Sequence, residues 1–277
     1  MKVSLTATPS VARFAPIVVR GDPSEAFALA AELGYDGVEL HLRRPDDVDS
    51  ATVRDLQARY GLGVPTLGTG MAAGEDGLTF SDPDPEIRQQ AVARTRAHIA
   101  LAAKLQSAVT IGLIRGRLGG EAGERATRRA NQMECLETCC RDAAAAGVIL
   151  LLEPVNRYEG DDLFTLAQAC GVIEELGQPN LKLLADTYHM NIEEADMAEA
   201  IRRAGPHLGH VHLVDSNRRA PGHGHIDMRS ILAALLDVGF AGYLSFEILP
   251  LPDGRRAAED GIATVRRLLA ELGACGG

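Results

Sequence analysis

Short apolar runs alternate along this chain with longer segments of helical periodicity, and the alternation repeats eight times. The clearest run is 148–152 (VILLL), five apolar residues without a polar alternate, as in a strand buried on both faces of a parallel sheet. It leads directly into Glu153 and Pro154. A carboxylate at the end of a buried strand is costly unless it is paired, hydrogen-bonded or bound to a metal. The other strands are predicted at 2–8 (KVSLTAT), 36–42 (DGVELHL), 63–67 (GVPTL), 108–114 (AVTIGLI), 181–185, 208–214 (LGHVHLV) and 242–248 (GYLSFEI). Helices are predicted at 23–33, 50–60, 85–105, 124–146, 163–176, 192–204, 226–238 and 257–272, with a long loop over 71–85. Asp22 opens the first helix as its cap, and Gly34, Gly61 and Gly147 stand where helices stop.

Eight strand–helix units with no linker between them predict a single domain over 1–277, a closed (β/α)8 TIM barrel. The 277 residues sit near the roughly 250 typical of that fold. An open doubly wound sheet is the rival, but the first strand-to-helix turn has no GxGxxG phosphate signature.

Composition narrows the function. The formal charge of -10 sets the chain against nucleic acid, whose phosphates are bound by Lys and Arg. The five cysteines, at 135, 139, 140, 170 and 275, include no CxxC pair and suit reduced thiols in a cytoplasmic protein. Pro9 and Arg13 interrupt what a signal peptide would need as an apolar run, and no stretch approaches the roughly 18 apolar residues of a membrane span. Lysine occurs only at 2, 104 and 182, two strand starts and a helix, so Schiff-base chemistry at the strand ends is disfavoured.

In a barrel of this kind the active site lies at the C-terminal ends of the strands. Strand five ends at Glu153, strand six at Asp186, strand seven carries His212 and strand eight ends at Glu247. Any one of these could be a capped or hydrogen-bonded strand end; four consecutive strands presenting metal-ligand types at one end form a constellation. Carboxylate oxygens with one imidazole suit Mn²⁺, Mg²⁺, Co²⁺ or Zn²⁺, and the lack of thiolate favours the harder ions. Glu159, His189, Arg218, Glu39 and His41 are further polar groups nearby, with Glu39 and His41 as consistent with a plain strand-end hydrogen bond as with substrate contact. His98, His207 and His210 are expected at the surface or in packing. His223 and His225 lie in a Gly-rich loop better suited to wrapping substrate than to adding a metal. Arg115 and Arg117, just past strand four, are expected to recognise an acidic substrate, since a guanidinium binds a carboxylate bidentately; a solvated basic turn is the alternative.

The segments EPVNRYE (153–159), ADTYHMNIEE (185–194), HVHLVDSNR (210–218) and SFE (245–247) resemble those of the metal-dependent ketose 3-epimerases of the xylose-isomerase-like superfamily. GTG (68–70) and IGLIRGR (111–117) are most similar to the branch acting on 5-keto-gluconate-type acids. The resemblance implies Glu153, Asp186, His212 and Glu247 as ligands of one divalent ion, commonly Mn²⁺, Co²⁺ or Mg²⁺, and Glu159, His189 and Arg218 as substrate-binding groups. The loop 219–223 departs from the commoner ketose-epimerase form, which sets neutral ketoses such as fructose or tagatose in question. Glu153 and Glu247 would face each other across the carbon beside the carbonyl, one removing a proton and the other returning one, through an enediolate stabilised by the ion. The partner is then a sugar or keto-sugar acid, and a homo-oligomer, dimer or tetramer, is expected. Rivals are an aldose–ketose or hydroxypyruvate-type isomerase on the same metal site, an apurinic endonuclease, disfavoured by charge, and a non-catalytic sugar-binding protein.

Overall fold

The computed structural model describes residues 1–10 and 16–273; Arg13 and Cys275, named above, lie outside them. Strands β1 (Lys2–Thr8), β3 (Gly37–His41), β4 (Thr66–Gly68), β5 (Ala108–Ile111), β6 (Leu150–Leu152), β7 (Leu181–Asp186), β8 (Leu208–His212) and β9 (Tyr243–Phe246) pair in sequence order, all parallel. β1 also pairs with β9, Leu5 opposite Phe246, which closes the barrel. A two-residue strand β2 (Val19–Arg20) lies on the outer end of β1, opposite Ala7 and Thr8. The closed (β/α)8 barrel expected from the repeat is therefore the architecture observed.

The surrounding helices are α1 (Pro23–Leu33), α2 (Ser50–Tyr60), α3 (Gly70–Asp76), α4 (Pro85–Leu105), α5 (Ala122–Ala145), α6 (Leu166–Leu176), α7 (Thr187–Glu193), α8 (Met197–Ala204), α9 (Met228–Asp237) and α10 (Gly254–Glu271). Aspartate opens most of them: Asp22, Asp49, Asp84, Asp196, Asp227 and Asp253 each accept from a backbone N–H of the first turn, which also favours negative charge there. Gly34 and Gly61 end α1 and α2 in the left-handed conformation, at φ 76° and 66°.

Four local differences from the sequence expectation bear on the site. Strand four stops at Ile111, because Gly112 turns the chain into a short 3₁₀ segment, Leu113–Arg115. The predicted loop 71–85 begins with α3, whose Asp76 is held by Arg43 and Arg94. The helix predicted over 192–204 is two helices, α7 opened by Asp186 and α8 opened by Asp196. Within the run 148–152 only Leu150–Leu152 forms the strand, and Ile149 is exposed. None of the helices described is long and apolar enough to cross a membrane.

Candidate metal centre and sugar site

Four adjacent strands deliver four side chains to one point. Asp186 and His212 are the last residues of β7 and β8, and Glu153 and Glu247 stand one residue beyond β6 and β9. One ligand atom from each lies within 4.8 Å of all the others. His212 Nδ1 is 3.6 Å from Glu153, 3.4 Å from Asp186 and 3.4 Å from Glu247. That nitrogen is buried and has no hydrogen-bond partner. Buried polar atoms are rarely left so, and a lone nitrogen facing three carboxylates is the donor set of a divalent cation. The residues present therefore fit one divalent ion.

The other face of His212 shows how the ring is held. Its Nε2 lies 3.0 Å from Glu39, a fully buried carboxylate that also takes His41 Nε2 at 2.8 Å and His210 Nε2 at 2.9 Å. An ionised carboxylate only accepts, so His212 keeps a proton on Nε2 and turns Nδ1 to the centre. Burial would raise the Glu39 carboxyl, but the His212 charge and the imidazole hydrogen bonds outweigh it and hold Glu39 well below the usual carboxylate range. Burial likewise opposes the protonation of His212, yet Glu39 and Glu247 keep it well above the usual imidazole value. A divalent ion held by His212, Glu153, Asp186 and Glu247 would supply the positive charge in place of that proton.

Asp186 has a second duty as the cap of α7, accepting from Tyr188 N at 2.8 Å and His189 N at 3.4 Å. Arg218 spans the centre, Nη1 on Asp186 at 2.8 Å and Nη2 on Glu247, with its guanidinium 4.7 Å over the Tyr188 ring. Burial opposes ionisation of Asp186 and Glu247, but Arg218 and His212 hold both below the usual range. Arg218 has φ 60°, unusual for a non-glycine residue; Asp215 fixes its loop by accepting from the backbone of Ser216, Gly222 and Ile226. Asn156 donates to His189 Nδ1 at 2.7 Å and to Glu159 at 3.1 Å, leaving the His189 Nε2 proton for another acceptor.

A cavity of about 490 Å³ opens over this centre. Glu153, His212, Glu247, Glu159, His189 and Arg218 line it on one side; His41, Ile17, Leu113 and the small residues Gly68, Gly70 and Gly74 line it on the other. Seven of the eight residues anticipated from sequence are thus together. The eighth, Arg115, is not among the lining residues. It is buried, its guanidinium engaged by Asp162 and by the Glu153 carbonyl, so the expected contact with a substrate carboxylate does not fit its placement. His210, expected at the surface or in packing, is buried, with its Nε2 on Glu39 and Ser245. For Glu39 and His210 the sequence holds half of the signal: Glu39 with His41 and His210 with His212 are i, i+2 pairs, which share one face of a strand, but nothing in the sequence joins the two strands. His223 and His225 bond to Asp260 and Ser216 instead of joining the centre.

A closed parallel barrel with a largely buried three-carboxylate, one-histidine centre at its strand ends defines a barrel with a candidate divalent-metal site. The family described as xylose isomerase-like TIM barrel matches residues 27–269, and the chain belongs to it. Its relatives include the L-ribulose 3-epimerase of Methylomonas sp. (strain DH-1), 34% identical over 80% of this chain and 77% of that protein. The D-psicose 3-epimerase of Agrobacterium fabrum (strain C58 / ATCC 33970) is 32% identical over 78% of this chain and 76% of its own. A solved L-ribulose 3-epimerase structure superposes with a TM-score of 0.84 at 31% identity, over 98% of this chain and 95% of that one. These relatives are isomerase-class enzymes.

Proposed function

We propose that this chain is a divalent-metal-dependent epimerase that inverts the carbon next to the carbonyl of a ketose. The observation that carries this reading is the unpartnered His212 Nδ1 facing Glu153, Asp186 and Glu247 at the floor of the cavity. A bound ion supplies Lewis-acid polarisation of the substrate carbonyl and stabilises the negative charge that develops on its oxygen. The chain's own groups do the rest. Glu153 and Glu247 enter from β6 and β9 with two strands between them, and so reach a substrate carbon from different sides. One removes the proton, the other delivers a proton to the opposite face, and the centre inverts; each positioned acid or base is worth about 10² to 10⁴ in rate. Arg218, His189 and Glu159 hold the sugar oxygens nearest the metal, and His41 faces them across the cavity.

The cavity favours an uncharged ketose over a keto-sugar acid. Among the described lining residues Arg218 is the only arginine and there is no lysine, while Glu75 and Glu159 add negative charge at the mouth. A substrate carboxylate at the far end would meet no lysine or arginine among the described lining residues. Manganese is the ion proposed first, from the hard donor set.

The test is NMR in deuterium oxide on the Mn²⁺-loaded protein with a panel of ketoses and keto-hexonates. Deuterium is expected beside the carbonyl of neutral ketoses, with formation of the C3 epimer. Turnover confined to keto-hexonates would overturn the neutral assignment, and an aldose product would make the protein an isomerase. Glu153→Gln and Glu247→Gln should each abolish the exchange; normal exchange in either removes that residue from the proton-transfer role.

A further inference from the structure

We propose that Arg115 and Asp162, with the turn 112–117, form a clamp that positions Glu153 and the loop behind it. The Arg115 and Asp162 side chains are 5% and 6% exposed. Arg115 Nη1 lies 3.0 Å from both Asp162 oxygens, and Nη2 donates to the Glu153 carbonyl at 3.2 Å. The planar guanidinium reaches a carboxylate and a main-chain oxygen at once, which a single ammonium does less well. Glu153 stands just outside β6, where the barrel ladder no longer directs its carbonyl; Arg115 fixes that peptide.

The turn itself is held rigidly. The Arg115 carbonyl accepts from Ser81 N at 3.0 Å and Gln132 Nε2 at 3.1 Å. Gly112 supplies the seat: a Cβ there would collide with Glu153 Oε2. Beyond it, Arg117 donates to the carbonyls of Tyr158 and Glu159 at 2.9 and 3.0 Å, and Leu118 N and Gly119 N donate to Asp161 at 2.8 and 2.7 Å. Segment 112–119 therefore grips the loop 153–162 at its start, middle and end. That loop carries Glu153, Asn156 and Glu159, so the grip sets a proposed metal ligand and a proposed sugar contact together. Arg115 is a positioning residue; it touches neither the cavity nor the reacting atoms.

The inference rests on the proposed function only for the role of Glu153, and two readouts keep the two apart. Hydrogen exchange on the chain without added metal reports the clamp itself: Arg115→Met and Asp162→Asn should both deprotect 153–162 while the barrel strands stay protected. Calorimetry with Mn²⁺ alone reports the consequence: each variant should weaken binding about 10- to 100-fold, as outer-shell losses do. The double variant should lose no more than either single one, because both remove the same device. Arg115→Lys keeps a charge beside Asp162 and serves if the methionine variant does not fold; it should still deprotect 153–162. Unchanged protection of 153–162 in these variants overturns the clamp. A defect in Arg115→Met seen only with keto-hexonates, with Asp162→Asn unaffected, overturns it in favour of carboxylate recognition. Failure of the unaltered protein to bind Mn²⁺ counts against the metal reading, and the exchange result then decides the clamp separately.

Discussion

Glu39 does more for the metal centre than its absence from the ligand set suggests. It lies within hydrogen-bond distance of three imidazole Nε2 atoms, one of which, on His210, it shares with Ser245, and through His212 it determines which ring nitrogen faces the carboxylates. In Glu39→Gln an amide NH₂ would turn two donors toward donors, and His212 would lose its fixed orientation. Mn²⁺ affinity is expected to fall about 10- to 100-fold, measured by calorimetry, with far-ultraviolet circular dichroism unchanged; an unaltered affinity would show that His212 is held some other way. The four ligands were legible in the sequence because each sits at a strand end, a place the fold itself defines. Glu39 and His210 were not, because their contact joins residues 171 apart and exists only once the barrel closes. Arg115 was misplaced for a related reason. A basic residue past a strand end can face the cavity or the neighbouring loop, and here Asp162 is near enough to decide it.

At the scale of elements, the join between β7 and α7 carries both structure and chemistry. Asp186 is a proposed metal ligand through one oxygen and the cap of α7 through the other, so one residue fixes the start of the helix bearing His189. Asparagine caps helices about as well as aspartate and alanine does not. Asp186→Ala is therefore expected to unfold about 0.5–2 kcal/mol more easily than Asp186→Asn in the metal-free protein, in urea denaturation. Equal stabilities would mean that the cap is energetically idle. The sequence suggests one helix at 192–204 because its helical periodicity runs on across the break at 194–196. Asp186 and Asp196, each followed by a helical turn, mark two starts. Conversely, α3 was missed because GMAAGED contains two glycines, and its hold comes from Asp76 bonding to Arg43 and Arg94, which are distant in sequence.

For the whole molecule, the eight-fold repeat was readable because each unit brings its own cap, apolar run and stop; strand lengths were overestimated wherever a glycine or a strand-end polar group turned the chain early. The same closure concentrates charge. Three carboxylates meet with Arg218 and His212 as their nearest cationic partners among the described residues, so the metal-free protein keeps like charges together at its centre. A divalent ion at a hundred times its Kd should add about 2.7 kcal/mol of stability. For a domain of this size that is a rise of roughly 5–10 °C in Tm, measurable by calorimetry with and without Mn²⁺. The rise should vanish in the Asp186→Ala variant; a Tm indifferent to metal in the unaltered protein would count against a single tight site here.

All four proposed ligands come from β6–β9, whereas the far wall of the cavity, Gly68, Gly70, Met71 and Gly74, comes from β4 and α3. For protein engineering this separates two tasks that many enzymes entangle. Substitutions at Gly70, Met71 and Gly74 would reshape that wall, side chains at the two glycines narrowing the cavity toward smaller sugars, while the half of the barrel that holds the ion keeps its sequence. Gly68 and Gly112 are the positions to leave fixed, since each belongs by location to one half and by contact, through the His41 ring or through Glu153, to the metal centre.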